Sequence, residues 1–290
     1  MANRNHTLRA DLVLLGAALI WGSTFVVVDA AIERVSSLLF NALRFTLALL
    51  MLLPVVVVRR TWPSREAWIA GFAVGAPLMV GFALQTVGLE EIGAARSAFL
   101  TGLYVVMVPL LLVVVLRRLP AAGSVIGVLL ATAGLVLLTG VDPRNWLRGD
   151  LLTLGCALSF AVQILAVDRF SRRCELLPLL FAQMFWVALL CWPATLLETP
   201  RWVSTPDVWA ALLATAFLGS LIAVMAQNYA QRKTTPTRAA VILTMEPVFA
   251  TVTAFAFAGE RFGSGEIAGS ILILAGMLVT ELWPRAKDAS

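Results

Sequence analysis

The chain has 290 residues, 60% of them hydrophobic and only 13% charged, against about 25% charged in an ordinary soluble domain. That composition excludes a soluble globular protein and predicts a multi-pass membrane protein whose constant partner is the lipid bilayer. The formal net charge of +5 reads as basic residues in short cytoplasmic loops that fix orientation, so no nucleic-acid partner is expected.

Apolar runs of about 20 residues, long enough to cross a bilayer core of about 30 Å, recur near 12–32, 36–58, 68–88, 94–116, 121–140, 150–170, 176–197, 207–231, 238–258 and 265–283. The first is read as a retained helix, because "MANRNHTLRAD" leads into a run with no small-residue cleavage site that outlasts a signal-peptide core. The predicted fold is an all-α integral membrane protein of ten transmembrane helices. Fifteen Arg and Lys residues fall on the N-terminal side of the spans and six on the other, so the positive-inside rule places both termini in the cytoplasm. Trp62, Trp68, Trp146, Trp202, Trp209 and Trp283 fall at or just outside span ends, as an interfacial belt does.

The two halves are copies. "DLVLLGAALIWGSTFVVVD" (11–29) lies over "DLLTLGCALSFAVQILAVD" (150–168) with eight of nineteen positions identical, including Asp11 with Asp150. The same shift of 139 pairs Arg44 with Gln183; a shift of 142 pairs Gln85 with Gln227, Arg96 with Arg238 and three glycines of the fifth span with three of the tenth. Pro109 is paired with Pro247 at a shift of 138. Each half, 11–140 and 150–283, holds five helices, so the second repeat is inverted relative to the first. Inverted repeats are an architecture of secondary transporters, with the substrate held near the midplane at the repeat interface.

"WGSTFVVVDAAIE", the "LRF" at 43–45 and above all "EPVFATVTAFAFAGERFGSGEIAGSILILAG" (246–276) resemble the EamA family of the drug/metabolite transporter superfamily. The resemblance covers essentially the whole chain. It implies a ten-helix transporter of the bacterial inner membrane, usually an exporter of amino acids or other metabolites. The family's "GE" after the proline-bearing helix is present as Gly259-Glu260, while Arg118 holds the corresponding place in the first half.

Polar residues inside a span are functional candidates, because hydrocarbon penalises a mid-helix charge by about 2–3 kcal/mol or more. Arg44 and Gln183, and Gln85 and Gln227, hold equivalent places and are expected to face the repeat interface. On the fourth helix Ser97, Thr101 and Tyr104 share a face, as do Thr237, Thr244 and Thr251 on the ninth, Ser159 and Gln163 on the sixth, and Ser220, Gln227 and Gln231 on the eighth. These stripes predict a wet cavity walled by helices one, three, four, six, eight and nine. Trp21 and Trp186, away from the interfaces, are candidates to stack on a substrate. Arg44 would suit a carboxylate.

Glu246 and Pro247 sit together in an apolar run. Pro247 and Pro109 are expected to kink their helices and act as hinges. Three readings of Glu246 stand open: pairing with Arg44, titrating a proton and so coupling transport to it, or meeting a cationic group of the substrate. Gly123, Gly127, Gly265 and Gly269 permit close helix contact, for scaffold packing or for a homodimer through helices five and ten. Cys156, Cys174 and Cys191 show no CxxC spacing, His6 is the only histidine and no HExxH occurs, so no metal, cofactor or enzyme activity is expected. The functional alternative to a small-metabolite exporter is a channel, or a lipid- or quaternary-cation-translocating protein, of the same fold.

Overall fold

The computed structural model describes residues 2–114, 117, 119–120, 122–139, 147–258 and 263–283. Arg118, Trp146 and the Gly259-Glu260 pair lie outside them. The helices in chain order are α1 (Ala2–Ile32), α2 (Ser37–Arg59), α3 (Arg65–Gly102), α4 (Tyr104–Val114), α5 (Ala122–Thr139), α6 (Arg148–Ser171), α7 (Leu176–Ala194), α8 (Pro206–Ala214), α9 (Ala223–Gln231), α10 (Pro236–Leu243), α11 (Glu246–Ala258) and α12 (Ser264–Leu282). Among the described residues, seven candidate spans are long and apolar enough to cross a membrane, α5 and α12 are shorter apolar helices, and α10 with α11 forms the remaining span. This is the ten-helix inverted-repeat architecture. The face at which α1 begins is called the near face below, and the opposite one the far face.

Local sequence sets the boundaries. Ser64, Thr205 and Thr235 cap α3, α8 and α10 by accepting from the backbone N–H three residues on, and Pro206 and Pro236 occupy the first helical position, where a missing N–H costs nothing. Gly93, at φ 72°, breaks α3 between the third and fourth spans; that left-handed conformation suits a residue without a Cβ. At the far face the Glu198 carboxylate accepts from the N–H groups of Leu38 and Leu39 and so caps α2.

The fourth and ninth spans are interrupted at Leu103 and at Thr244–Met245. These breaks register at the 142-residue shift, which makes Tyr104 the repeat mate of Glu246 and corrects the alignment through the prolines. Pro109 lies inside the continuous helix α4, six residues past the break and beyond the turn its ring can crowd. Pro247 falls in the first turn of α11, where proline starts a helix. The break at Thr244–Met245 thus follows Leu243, whose carbonyl Pro247 leaves without a helical partner, whereas the break at Leu103 lies out of reach of Pro109.

Helices α5 and α12 pack against each other through their glycines. A Cβ at Gly134 would stand 2.6 Å from the Gly269 carbonyl oxygen, and one at Gly276 would stand 2.6 Å from that of Gly127. The glycine faces are therefore occupied by packing within the chain. Exposed Leu129 and Ile271 on the same two helices turn outward.

Candidate functional site

Where the repeats meet, a cavity of about 50 Å³ is lined by α1, α2, α3, α4, α6, α9, α10 and α11. At about 10–15 Å³ per water it holds a few waters, so an organic substrate requires the walls to part. Trp21, Arg44, Gln85, Tyr104, Gln163, Gln227 and Glu246 all line it. Helix α2 joins the expected walls through Arg44. The cavity is displaced toward the far face: its α1 lining runs from Trp21 to Val28 and its α3 lining from Leu78 to Leu89. Toward the near face, Leu14, Ala18, Val167 and Ile242 are packed without solvent exposure or nearly so.

Arg44 is held by a break in helical geometry. Residues Thr215–Ile222, between α8 and α9, form a π-helix, a wider winding that recurs at functional sites. Its Gly219 carbonyl accepts from Trp21 Nε1 at 2.8 Å, and Ser220 Oγ accepts from Arg44 Nε at 2.7 Å. A Cβ at Gly219 would stand 2.8 Å from Arg44 Nη2, so the guanidinium reaches this position because the residue is glycine. The cation also lies 4.7 Å from the Phe82 ring centroid and 5.4 Å from that of Phe45, which stabilises it out of water. Among the described residues, Arg44 Nη2 is buried and has no hydrogen-bond partner. A donor in that condition, in a cavity wall, is a place for an anionic acceptor.

Glu246 begins α11, where helix N-terminal N–H groups favour a carboxylate. Its Oε2 accepts from the Tyr104 hydroxyl at 3.4 Å, so the repeat mates meet. Arg44 is bonded to Ser220 rather than to Glu246, which sets aside the direct Arg44–Glu246 pair and leaves both side chains on the cavity wall.

Two sets of contacts relate the repeats. Gln163 and Gln227 each donate to the other's carbonyl oxygen at 3.0 Å. Their repeat mates, Thr24 and Gln85, also line the cavity but bond elsewhere, Thr24 to the Trp21 carbonyl and Gln85 to the Thr101 hydroxyl. Farther out, Arg238 grips Asp11 through Nε at 3.2 Å and Nη2 at 2.6 Å. At the opposite face Arg96 grips Asp150 through Nε at 2.5 Å and Nη2 at 2.8 Å. Each bidentate pair joins the start of the first helix of one repeat to the fourth span of the other.

Four expected site residues lie outside the lining. Thr101 stands behind Gln85, bonded to it. Thr244, at the break, turns its hydroxyl to the Val241 carbonyl. Gln183 accepts from Asn228 Nδ2 at 2.7 Å between α7 and α9. Trp186 donates to the Trp68 carbonyl at 3.0 Å and packs on Phe72 and Phe185, so its ring is held by aromatic neighbours on α3 and α7 and cannot stack on a molecule in the cavity. Thr24 and Phe82 line the site without having been singled out; the shift of 139, which lays Thr24 over Gln163, is the signal that finds the first.

The family model of the EamA-like transporter family matches residues 8–140 and again 147–282. A protein of Archaeoglobus fulgidus described as an uncharacterized transporter is 36% identical over 275 residues, covering 95% of this chain and 86% of its own. A solved crystal structure, described only as that of a protein, superposes with a TM-score of 0.76 over 93% of this chain and 96% of its own at 20% identity, which shows a shared fold.

Proposed function

Because the chain belongs to the EamA-like transporter family, and is thus a multi-pass membrane transporter, we propose that it exports small amphipathic metabolites, amino acids or close relatives of them, by alternating access. The membrane is the cytoplasmic one, with both termini inside. The observation that carries this reading is the asymmetry between repeat-related contacts: the Gln163–Gln227 pair is closed on the near side while its counterpart, Thr24 with Gln85, is apart on the cavity wall. An inverted repeat with one seal made and its mate unmade is what a two-state carrier needs, since exchanging the two arrangements moves the opening to the other face. Arg44, with its unpartnered Nη2, receives a carboxylate; Glu246 receives an ammonium group or a proton; Trp21, Phe82 and Tyr104 cover the apolar part.

Counterflow in proteoliposomes tests this. Vesicles are loaded with a mixture of amino acids and related metabolites, and each compound is followed by mass spectrometry for wild type and Glu246→Gln. Selective, saturable exchange that fails in Glu246→Gln is the expected result. Flux without saturation or exchange makes the protein a channel, and exchange that survives Glu246→Gln leaves a carrier in which the glutamate only starts a helix.

A further inference from the structure

A second cavity, of about 900 Å³, lies at the near face between α4, α6 and the start of α10 and shares no lining residue with the central one. Its inner wall is apolar: Leu111 from α4 with Val162 and Leu165 from α6. Val162 is 42% exposed, so this wall is open to the hydrocarbon of the surrounding bilayer. Its rim is cationic, formed by Arg169, Arg172 and Arg173. Asp168 is the only acid among the described lining residues and is bonded to Arg172 Nη2 at 3.1 Å, while the same nitrogen reaches the Thr234 carbonyl at 3.0 Å. Arg172 thus ties α6 to the loop before α10. Arg169 and Arg173 are exposed beside it.

The polarity gradient of this groove follows that of one lipid leaflet. From Val162 to Arg172 is ten residues, about 15 Å along a helix, which is half the thickness of a bilayer core of about 30 Å. A soluble anion would leave the apolar wall uncovered, and a zwitterionic lipid would leave the net positive rim unmatched. We infer that the groove binds an anionic phospholipid, its phosphate at Arg169 and Arg173 and an acyl chain along Leu111, Val162 and Leu165. Pro236 lines the same groove, two residues before the Arg238 that closes the near-face ion pair. The bound lipid therefore braces α6 against α10 on the closed side of the transporter.

Native mass spectrometry of the full-length protein in mild detergent, titrated with phosphatidylglycerol or phosphatidylcholine of matched chains, tests the site. With each basic residue near the surface worth about a factor of five in affinity for anionic lipid, Arg169→Gln/Arg173→Gln is expected to need about 25-fold more phosphatidylglycerol for the same occupancy. Arg59→Gln/Arg60→Gln, a pair exposed at the near-face end of α2, should bind like wild type. Millimolar glycerol 3-phosphate should leave the lipid bound. The proposal is overturned if wild type retains phosphatidylcholine equally, if the Arg59/Arg60 variant loses the lipid to the same extent, or if glycerol 3-phosphate displaces it. The phosphatidylcholine comparison needs no variant to fold.

Discussion

Gln163 and Gln227 exchange two side-chain hydrogen bonds, 3.0 Å each way, across α6 and α9. Both are all but fully buried, and they stand where the near-side core meets the cavity. Crossing them with a short bifunctional thiol reagent in Gln163→Cys/Gln227→Cys, on a background lacking Cys156, Cys174 and Cys191, should lock the near side and abolish exchange. Thr24→Cys/Gln85→Cys should cross-link only after the far side closes, so that substrate supplied from one side alters the yield. Equal cross-linking of both pairs under every condition would mean that the amides are fixed structural bonds.

The ion pairs that flank this seal make a separate expectation about stability. The Asp11–Arg238 pair leaves its side chains 10% and 8% exposed, whereas Arg96 in the other pair is 23% exposed. Removing one partner of a buried pair strands the other charge, at about 3–5 kcal/mol. Arg96→Gln, which strands the 1%-exposed Asp150, should therefore lower the thermal midpoint in detergent more than Arg238→Gln, which strands the 10%-exposed Asp11. The reversal Asp11→Arg/Arg238→Asp should recover part of the loss; if it is worse than either single change, the pair is fixed by its further neighbours and not by mutual charge.

The ten spans were legible because hydrophobic length is set by the bilayer, and the repeat pointed to Arg44, Gln85 and Gln227 because equivalent polar positions meet at one interface. What Arg44 bonds to was not legible. Its partner Ser220 lies on a π-helix, and that winding arises from tertiary packing rather than from any local residue pattern. Trp186 was drawn off by Trp68 and Phe72, contacts between helices over a hundred residues apart in sequence. The break in the ninth span stands where Pro247 points, since its ring leaves the Leu243 carbonyl without a helical partner, but that in the fourth escaped: Pro109 sits within a helix, while Leu103, an ordinary helix former, carries the break. Its carbonyl accepts from both Val106 and Met107, a tightened turn with no composition signal.

Glycine substitutions separate packing from function. Gly134→Ala places a methyl group 2.6 Å from the Gly269 carbonyl oxygen, a backbone atom that cannot rotate away, so α5 and α12 must move apart at a cost of about 1–3 kcal/mol. Gly16, in the interior of α1, has no atom within 4 Å of a built Cβ, and Gly16→Ala should be neutral or stabilise by up to about 1 kcal/mol through helix propensity. Thermal unfolding monitored by tryptophan fluorescence distinguishes them. Counterflow selectivity should change in neither, since neither Gly134 nor Gly16 lines the cavity.

Arg44 offers the most direct test of what the cavity binds. Three contacts fix the guanidinium: Ser220 Oγ and the rings of Phe82 and Phe45. Phe82→Leu removes one cation–π contact, worth about 1 kcal/mol, and should weaken substrate affinity about fivefold. Ser220→Ala removes the acceptor for a charged donor, about 1.5–3 kcal/mol, and should cost roughly tenfold or more. Arg44→Gln should be the most severe, because no cation remains for the carboxylate. Arg44→Lys recovers the charge but not the planar fork, and so should fall between wild type and Arg44→Gln. The decisive comparison uses matched substrates with and without a carboxylate in the counterflow assay. If Arg44 holds that group, its variants raise KM for the carboxylate and leave the decarboxylated amine nearly unchanged. If both compounds suffer equally, the guanidinium is instead a strut that anchors α2 to the π-helix, and the anion site lies elsewhere on the wall.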